Sequence, residues 1–238
     1  MDSSSLIVLV HGALTDASIW SDVIALLQKV GVSSIAPALP LRGLRSDAEY
    51  LSAFLRTLPD SYFFVGHSYG GSVISHSLLT DDGLKGLVFV SAFIQDANET
   101  AGELNGRWPG SRLGEETTVV RPYPGGNELY LKAESFGEVY AGDLSKENIE
   151  VLSARQRPID VAALNESFSG APTWKTVPSW ALISTEDLSI PPEAQRAMAR
   201  RANARISEAA ASHAVPLSVP ESVVDLIRVA LGEICTGA

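Results

Sequence analysis

Short apolar runs rich in β-branched residues recur along the chain at residues 6–10, 32–36, 62–65, 87–90, 180–184 and, more weakly, 205–209. Runs of this length without polar alternation predict strands buried on both faces. Between them, residues 18–30, 46–58, 70–79, 192–202 and 221–234 carry apolar side chains at helical spacing, which predicts helices with one buried stripe. Strand-helix alternation implies a parallel sheet covered on both faces, because a parallel connection needs a crossover and a helix usually makes it. Asp16 or Ser18 suits the cap of the first helix, Ser46 or Asp47 that of the second, and Pro191-Pro192 the start of a later one.

The rhythm breaks between about Gln95 and Thr176, where glycine, proline and aromatic residues concentrate, among them Trp108, Pro109, Tyr123 to Gly126, Tyr130, Phe136, Tyr140 and Trp174. Such a stretch is too aromatic for a linker and too irregular for more sheet. It reads as a lid over one end of the sheet, the alternative being a surface excursion that buries its aromatics on the core. The expected class is therefore α/β, with a mostly parallel sheet of about six strands flanked by helices. Residues 1–94 and 177–238 form the core, and 95–176 a lid or cap insertion.

Composition narrows the function. With 45% hydrophobic and 19% charged residues the chain has apolar material for a sizeable core and no signature of disorder. A net charge of -10 repels a polyphosphate backbone, so nucleic acid is not an expected partner. The single cysteine, Cys235, supplies neither an internal disulfide nor a cysteine-rich metal site and suits a reducing compartment. The first apolar run is too short for a membrane span or a signal-peptide core. These features predict a soluble, untargeted cytoplasmic protein that acts on a small molecule without contacting membrane, with a homodimer as the candidate assembly.

Directly after the third apolar run comes Gly66-His67-Ser68-Tyr69-Gly70-Gly71, which leads into the helical pattern that follows. In Gly-x-Ser-x-Gly the chain reverses so sharply at the serine that side chains on either side would collide, and glycines remove the collisions. Ser68 is thus the candidate nucleophile, and a serine hydroxyl needs a base to take its proton. Of four histidines, His11 ends the first strand, His67 points away as the motif's variable residue and His76 lies farther along the helix. His213, between the last weak strand and the final helix, is the candidate base. The acid that orients it belongs after a strand lying between the two in sequence. Asp187 is chosen there over Glu186, with Asp96 a distant second. For the oxyanion hole, the N–H of Ala13 after the first strand pairs with that of Tyr69, while Gly12 lets the backbone approach the substrate and His11 braces the loop. Trp108, Tyr130, Phe136 and Trp174 are the candidate apolar pocket residues.

With these motifs in order, joined by Thr185 to Pro192 and Ser212-His213-Ala214, the chain resembles the α/β-hydrolase superfamily along essentially its whole length. Within it, the chain is similar to small bacterial esterase-like members related to plant methylesterases and hydroxynitrile lyases. Relative to larger members, the two leading antiparallel strands are expected to be missing. Ser68 stands where dehalogenases and epoxide hydrolases of this fold carry aspartate. Ala214 stands where S-selective hydroxynitrile lyases place lysine, and Gly12 where R-selective ones place asparagine. The resemblance implies hydrolysis of a small, largely apolar ester or lactone, with no cofactor and no metal. A lyase or cyclase using the same site, or a ligand receptor on the same scaffold, are the alternatives.

Overall fold

The computed structural model describes residues 5–236; the side chain of Cys235 lies outside the described residues. The central sheet holds β1 (Leu6–Val10), β2 (Ser34–Ile35), β3 (Tyr62–His67), β4 (Leu84–Val90), β8 (Ser179–Ser184) and β9 (Arg205–Ala209). Its six strands run in the order β2-β1-β3-β4-β8-β9, and every pairing is parallel. No antiparallel strand joins it among the described residues.

Successive strand residues point to opposite faces, and both faces are buried. Val8, Val10, Phe64, Leu87, Phe89, Ala181 and Ile183 form one core with residues of α2 (Leu44–Leu55), α3 (Tyr69–Ser75) and α8 (Pro192–Arg201). Ile7, Leu9, Phe63, Val65, Val88, Trp180 and Leu182 form the other with α1 (Ser21–Lys29), α9 (Val215–Ser218) and α10 (Pro220–Thr236). This double burial is why the strands read as unbroken apolar runs. No helix among the described residues is long and apolar enough to cross a membrane.

Two local readings are corrected. Asp16 caps a short 3-10 turn over Ala17–Trp20, through Ser18 N–H, and α1 starts after it. The first turn of α2 is capped neither by Ser46 nor by Asp47 but by Glu166, whose Oε2 accepts Leu44 N–H at 2.6 Å from a distant part of the chain. Asp47 is instead fully buried.

Between β4 and β8 the chain forms α4 (Ala101–Gly106), β5 (Thr118–Tyr123), β6 (Gly126–Leu131), α5 (Ala133–Tyr140), α6 (Lys146–Ala154), β7 (Ile159–Asp160) and α7 (Val161–Leu164). Here β5, β6 and β7 make a three-stranded antiparallel sheet, contrary to the expectation that this segment is too irregular for sheet. Pro124-Gly125 turns the hairpin between paired Tyr123 and Gly126. Pro122 is tolerated because β5 is an edge strand.

The order of strands reverses between β1 and β3: the chain leaves β1 for β2 on one side and returns to place β3 on the other. Ligands of open α/β sheets bind at the carboxyl ends of strands at such a point. The register, with Val10 opposite Gly66, brings Gly12 beside Ser68 two residues farther on.

Candidate active site

Ser68 sits between β3 and α3 with φ 54° and ψ -125°, a conformation that costs a non-glycine residue about 1–3 kcal/mol. The tight surroundings hold it there. A Cβ on Gly70 would meet the carbonyl oxygen of Val10 at 2.4 Å, so only glycine lets α3 begin against β1. Ser68 O accepts the N–H groups of Gly71 at 3.0 Å and Phe93 at 3.2 Å, and its own N–H donates to Val90 O.

His213 and Asp187 are both 1% exposed, whereas Glu186 is exposed. His213 Nδ1–H donates to Asp187 Oδ2 at 2.7 Å, which leaves Nε2 as the imidazole's lone-pair nitrogen. Gln195 Nε2 donates to the same carboxylate oxygen at 2.8 Å, and Ser189 N–H and Ile190 N–H donate to Oδ1 at 2.7 and 2.9 Å. Four donors therefore fix the carboxylate and, through it, the ring of His213. Asp96 lies elsewhere and accepts Lys175 Nζ.

His67 does not point away from the site. It is fully buried, its Nε2–H donates to His213 O at 2.8 Å, and the two rings lie 4.7 Å apart. Burial first, then the neighbouring His213, drives its pKa well below the ordinary value, so it braces the His213 loop as a neutral ring. His76 accepts Leu78 N–H and packs its ring, tilted, against Phe168 at 4.8 Å.

Leu39 N–H donates to His11 Nε2 at 2.9 Å, which fixes the proton on Nδ1; that proton goes to Gly12 O at 2.8 Å. Burial lowers His11 to about 4. It is a neutral brace for the Gly12-Ala13 turn. A Cβ on Gly12 would stand 2.5 Å from Ser68 Cβ. Tyr69 is the first residue of α3, where an N–H has no partner inside its own helix. Its hydroxyl donates to Asp47 Oδ2 at 2.9 Å. Burial raises Asp47 to about 6, against the opposing effect of that hydrogen bond.

Ser68, His213, Ala13 and Tyr69 line one cavity of about 60 Å³ with Leu14, Phe93, Leu129, Tyr140, Ile159 and Ile190, so its wall is almost wholly apolar. None of the four aromatic residues expected to line the pocket is on this wall. Trp108 borders a wider outer groove. Tyr130 lies on another face with its hydroxyl on Glu128. Trp174 is buried with its indole N–H on Gln95 O. Phe136 is buried behind Tyr140, stacked at 5.2 Å. The aromatic of the insertion that reaches this wall is Tyr140, edge-on to His213 at 4.8 Å with its hydroxyl against Thr15 Oγ1. Its spacing of one helical turn from Phe136 was the available signal.

A serine and an imidazole free at Nε2 at one cavity, with a buried carboxylate behind the imidazole, are equipped for proton transfer and nucleophilic attack on a carbonyl carbon. The chain is similar in fold to polyneuridine aldehyde esterase, with a TM-score of 0.80 and 22% identity over 95% of this chain and 99% of that one. It is likewise similar to a pyrethroid hydrolase from Sphingobium faniae JZ-2 (TM-score 0.76, 20% identity, 94% and 96% covered). A third similar structure is tomato methylketone synthase I complexed with 2-tridecanone (TM-score 0.77, 18% identity, 97% and 99% covered). A comparison with curated proteins finds no match. The family model described as the alpha/beta hydrolase family matches residues 7–226, nearly the whole length. With that match, the parallel sheet and the serine turn at its switch point, the chain belongs to the alpha/beta hydrolase family.

Proposed function

We propose that the protein is a serine hydrolase that cleaves small, largely apolar carboxylic esters or lactones through an acyl-enzyme on Ser68. The observation that carries this reading is the shared cavity of Ser68 and His213, with Asp187 hydrogen-bonded behind the imidazole. The esterase and pyrethroid hydrolase of similar fold are consistent with it.

In this reaction His213 Nε2 takes the Ser68 proton as Oγ attacks the ester carbon. The N–H groups of Ala13 and Tyr69 stabilise the tetrahedral oxyanion, each such donor contributing about 3–4 kcal/mol. Collapse of that intermediate expels the alcohol, which leaves with the proton from His213. Water then attacks the acyl-enzyme, giving its proton to His213, and the second collapse releases the acid and returns the proton to Ser68 Oγ. Asp187 keeps its charge throughout and stabilises the transient imidazolium. The narrow apolar cavity excludes water from the oxyanion and admits only a small group beside Ser68.

A fluorophosphonate probe should label the pure protein on Ser68, and Ser68→Ala should neither be labelled nor turn over 4-nitrophenyl acetate. Labelling that persists in Ser68→Ala, or fails in the unaltered protein, refutes the proposal.

A further inference from the structure

Asn105, on α4, lies on the wall common to the Ser68–His213 cavity and the outer groove of about 490 Å³ that Trp108 borders. Its amide orientation is fixed by its neighbours. Ser111 Oγ gives its one proton to Ser189 O at 2.8 Å, so toward Asn105 and Leu113 N–H it is an acceptor. The group of Asn105 that meets it at 2.9 Å is therefore Nδ2. Flipping the amide would set an oxygen against a hydroxyl oxygen that has no proton left to give.

Asn105 Oδ1 is thereby left over. It is buried, and none of the described residues donates to it. A buried acceptor without a partner costs free energy, and such positions persist where a ligand supplies the missing bond. The amide is also held on the same rigid frame as the candidate catalytic acid, because Ser189, which accepts from Ser111, donates its N–H to Asp187 Oδ1. The rest of the cavity wall is almost entirely apolar, so one acceptor there discriminates strongly between substrates with and without a donor.

Building on the hydrolase reading, we propose that Asn105 is a specificity residue and that the substrate is an ester bearing a hydrogen-bond donor, a hydroxyl or an amide N–H. A small apolar portion sits against Ser68, and the donor meets Asn105 Oδ1 at the passage from the cavity into the groove as the side chains packed over that oxygen part around the bound ester.

The test uses 4-nitrophenyl esters of N-acetylglycine, N-acetyl-β-alanine and N-acetyl-γ-aminobutyrate, which move the N–H outward one carbon at a time. Each is paired with the ester in which a methylene replaces the N–H. At one position the N–H ester should exceed its partner in kcat/KM by roughly ten- to a hundredfold. Asn105→Leu, which keeps the shape and lacks the acceptor, should bring that ratio near one, and Asn105→Asp, which keeps an oxygen there while its second oxygen draws the Ser111 proton away from Ser189 O, should restore the preference. Ratios near one at every position in the unaltered protein, or a ratio that Asn105→Leu leaves unchanged, overturn the assignment. Should Asn105→Leu not fold, the unaltered protein and Asn105→Asp still decide it. Fluorophosphonate labelling run on the same preparation separates the two claims: absent labelling refutes the hydrolase reading, whereas labelling with flat ratios refutes only the role of Asn105.

Discussion

A methyl group on Gly12 would stand 2.5 Å from Ser68 Cβ and 3.1 Å from its Oγ, so Gly12→Ala must displace either Ser68 or the turn that carries Ala13. Misplacement of a reacting group by such an amount costs roughly a hundredfold in rate. Gly12→Ala is expected to lower kcat/KM for 4-nitrophenyl acetate by that order while leaving the far-ultraviolet circular dichroism unchanged. Asp187→Asn acts differently: an amide donor facing His213 Nδ1 favours the wrong tautomer, with Nε2 protonated and unable to accept from Ser68. Its kcat should fall by roughly 10⁴-fold with little change in KM, as steady-state assays would report. That Ser68 and His213 meet at one cavity, with Asp187 behind the imidazole, was legible at this scale because their spacing is tied to strand ends. His67 was not, since only the return of the residue 213 loop onto the end of β3 shows that its Nε2–H has the carbonyl of His213 to meet.

At the scale of elements, α2 and α3 meet through Asp47 and Tyr69, and α2 meets the insertion through Glu166. Burial raises the Asp47 carboxyl to about 6 from 3.8, so the folded state holds a proton that the unfolded chain releases. The stability it contributes is complete below about pH 4 and is lost as the pH rises through about 6, on the order of 3 kcal/mol in all. His11 works in the opposite sense. Burial lowers it to about 4 from 6.5, so its contribution is present above pH 6.5 and is lost as the pH falls through about 4. Over the shared window the two slopes oppose each other. Asp47→Asn, which keeps a hydrogen-bonding group beside Tyr69, should leave the His11 slope alone, so that stability measured by urea unfolding rises with pH between 4 and 6. Glu166→Ala removes the cap of Leu44 N–H and should cost about 1 kcal/mol in the same assay. The helices themselves could be read from their apolar stripes, but neither of these partners could. The hydrogen-bond partner of Leu44 lies 122 residues away, and a local capping rule ranks only neighbours.

In the whole molecule the insertion is fastened to the edges of the site. Ser212 donates through both its N–H and its hydroxyl to Asp143, Leu14 N–H donates to Arg157 O, and Tyr140 lies against His213. Asp143→Ala should loosen this attachment at a cost of about 1 kcal/mol, since the carboxylate is partly exposed. Hydrogen exchange should then quicken together in residues 133–140 and 212–214, while β1, β3 and β4 stay protected. Exchange that quickens nowhere, or equally throughout the sheet, contradicts this fastening. By itself the sequence determined the parallel sheet, its order of strands and helices, and the serine turn, because these depend on periodicity and on glycines within a few residues of the position they serve. It also determined that residues 95–176 break the rhythm. Only the tertiary structure decided which aromatics of that segment reach the cavity, that Tyr140 is on its wall while Trp108, Tyr130, Phe136 and Trp174 are not, and that Asn105 stands at its neck. The reason is physical: an aromatic ring is stabilised by any apolar surroundings of the right shape, so its identity in the sequence does not specify which face buries it. A strained turn is satisfied by only one local arrangement and announces its place in advance.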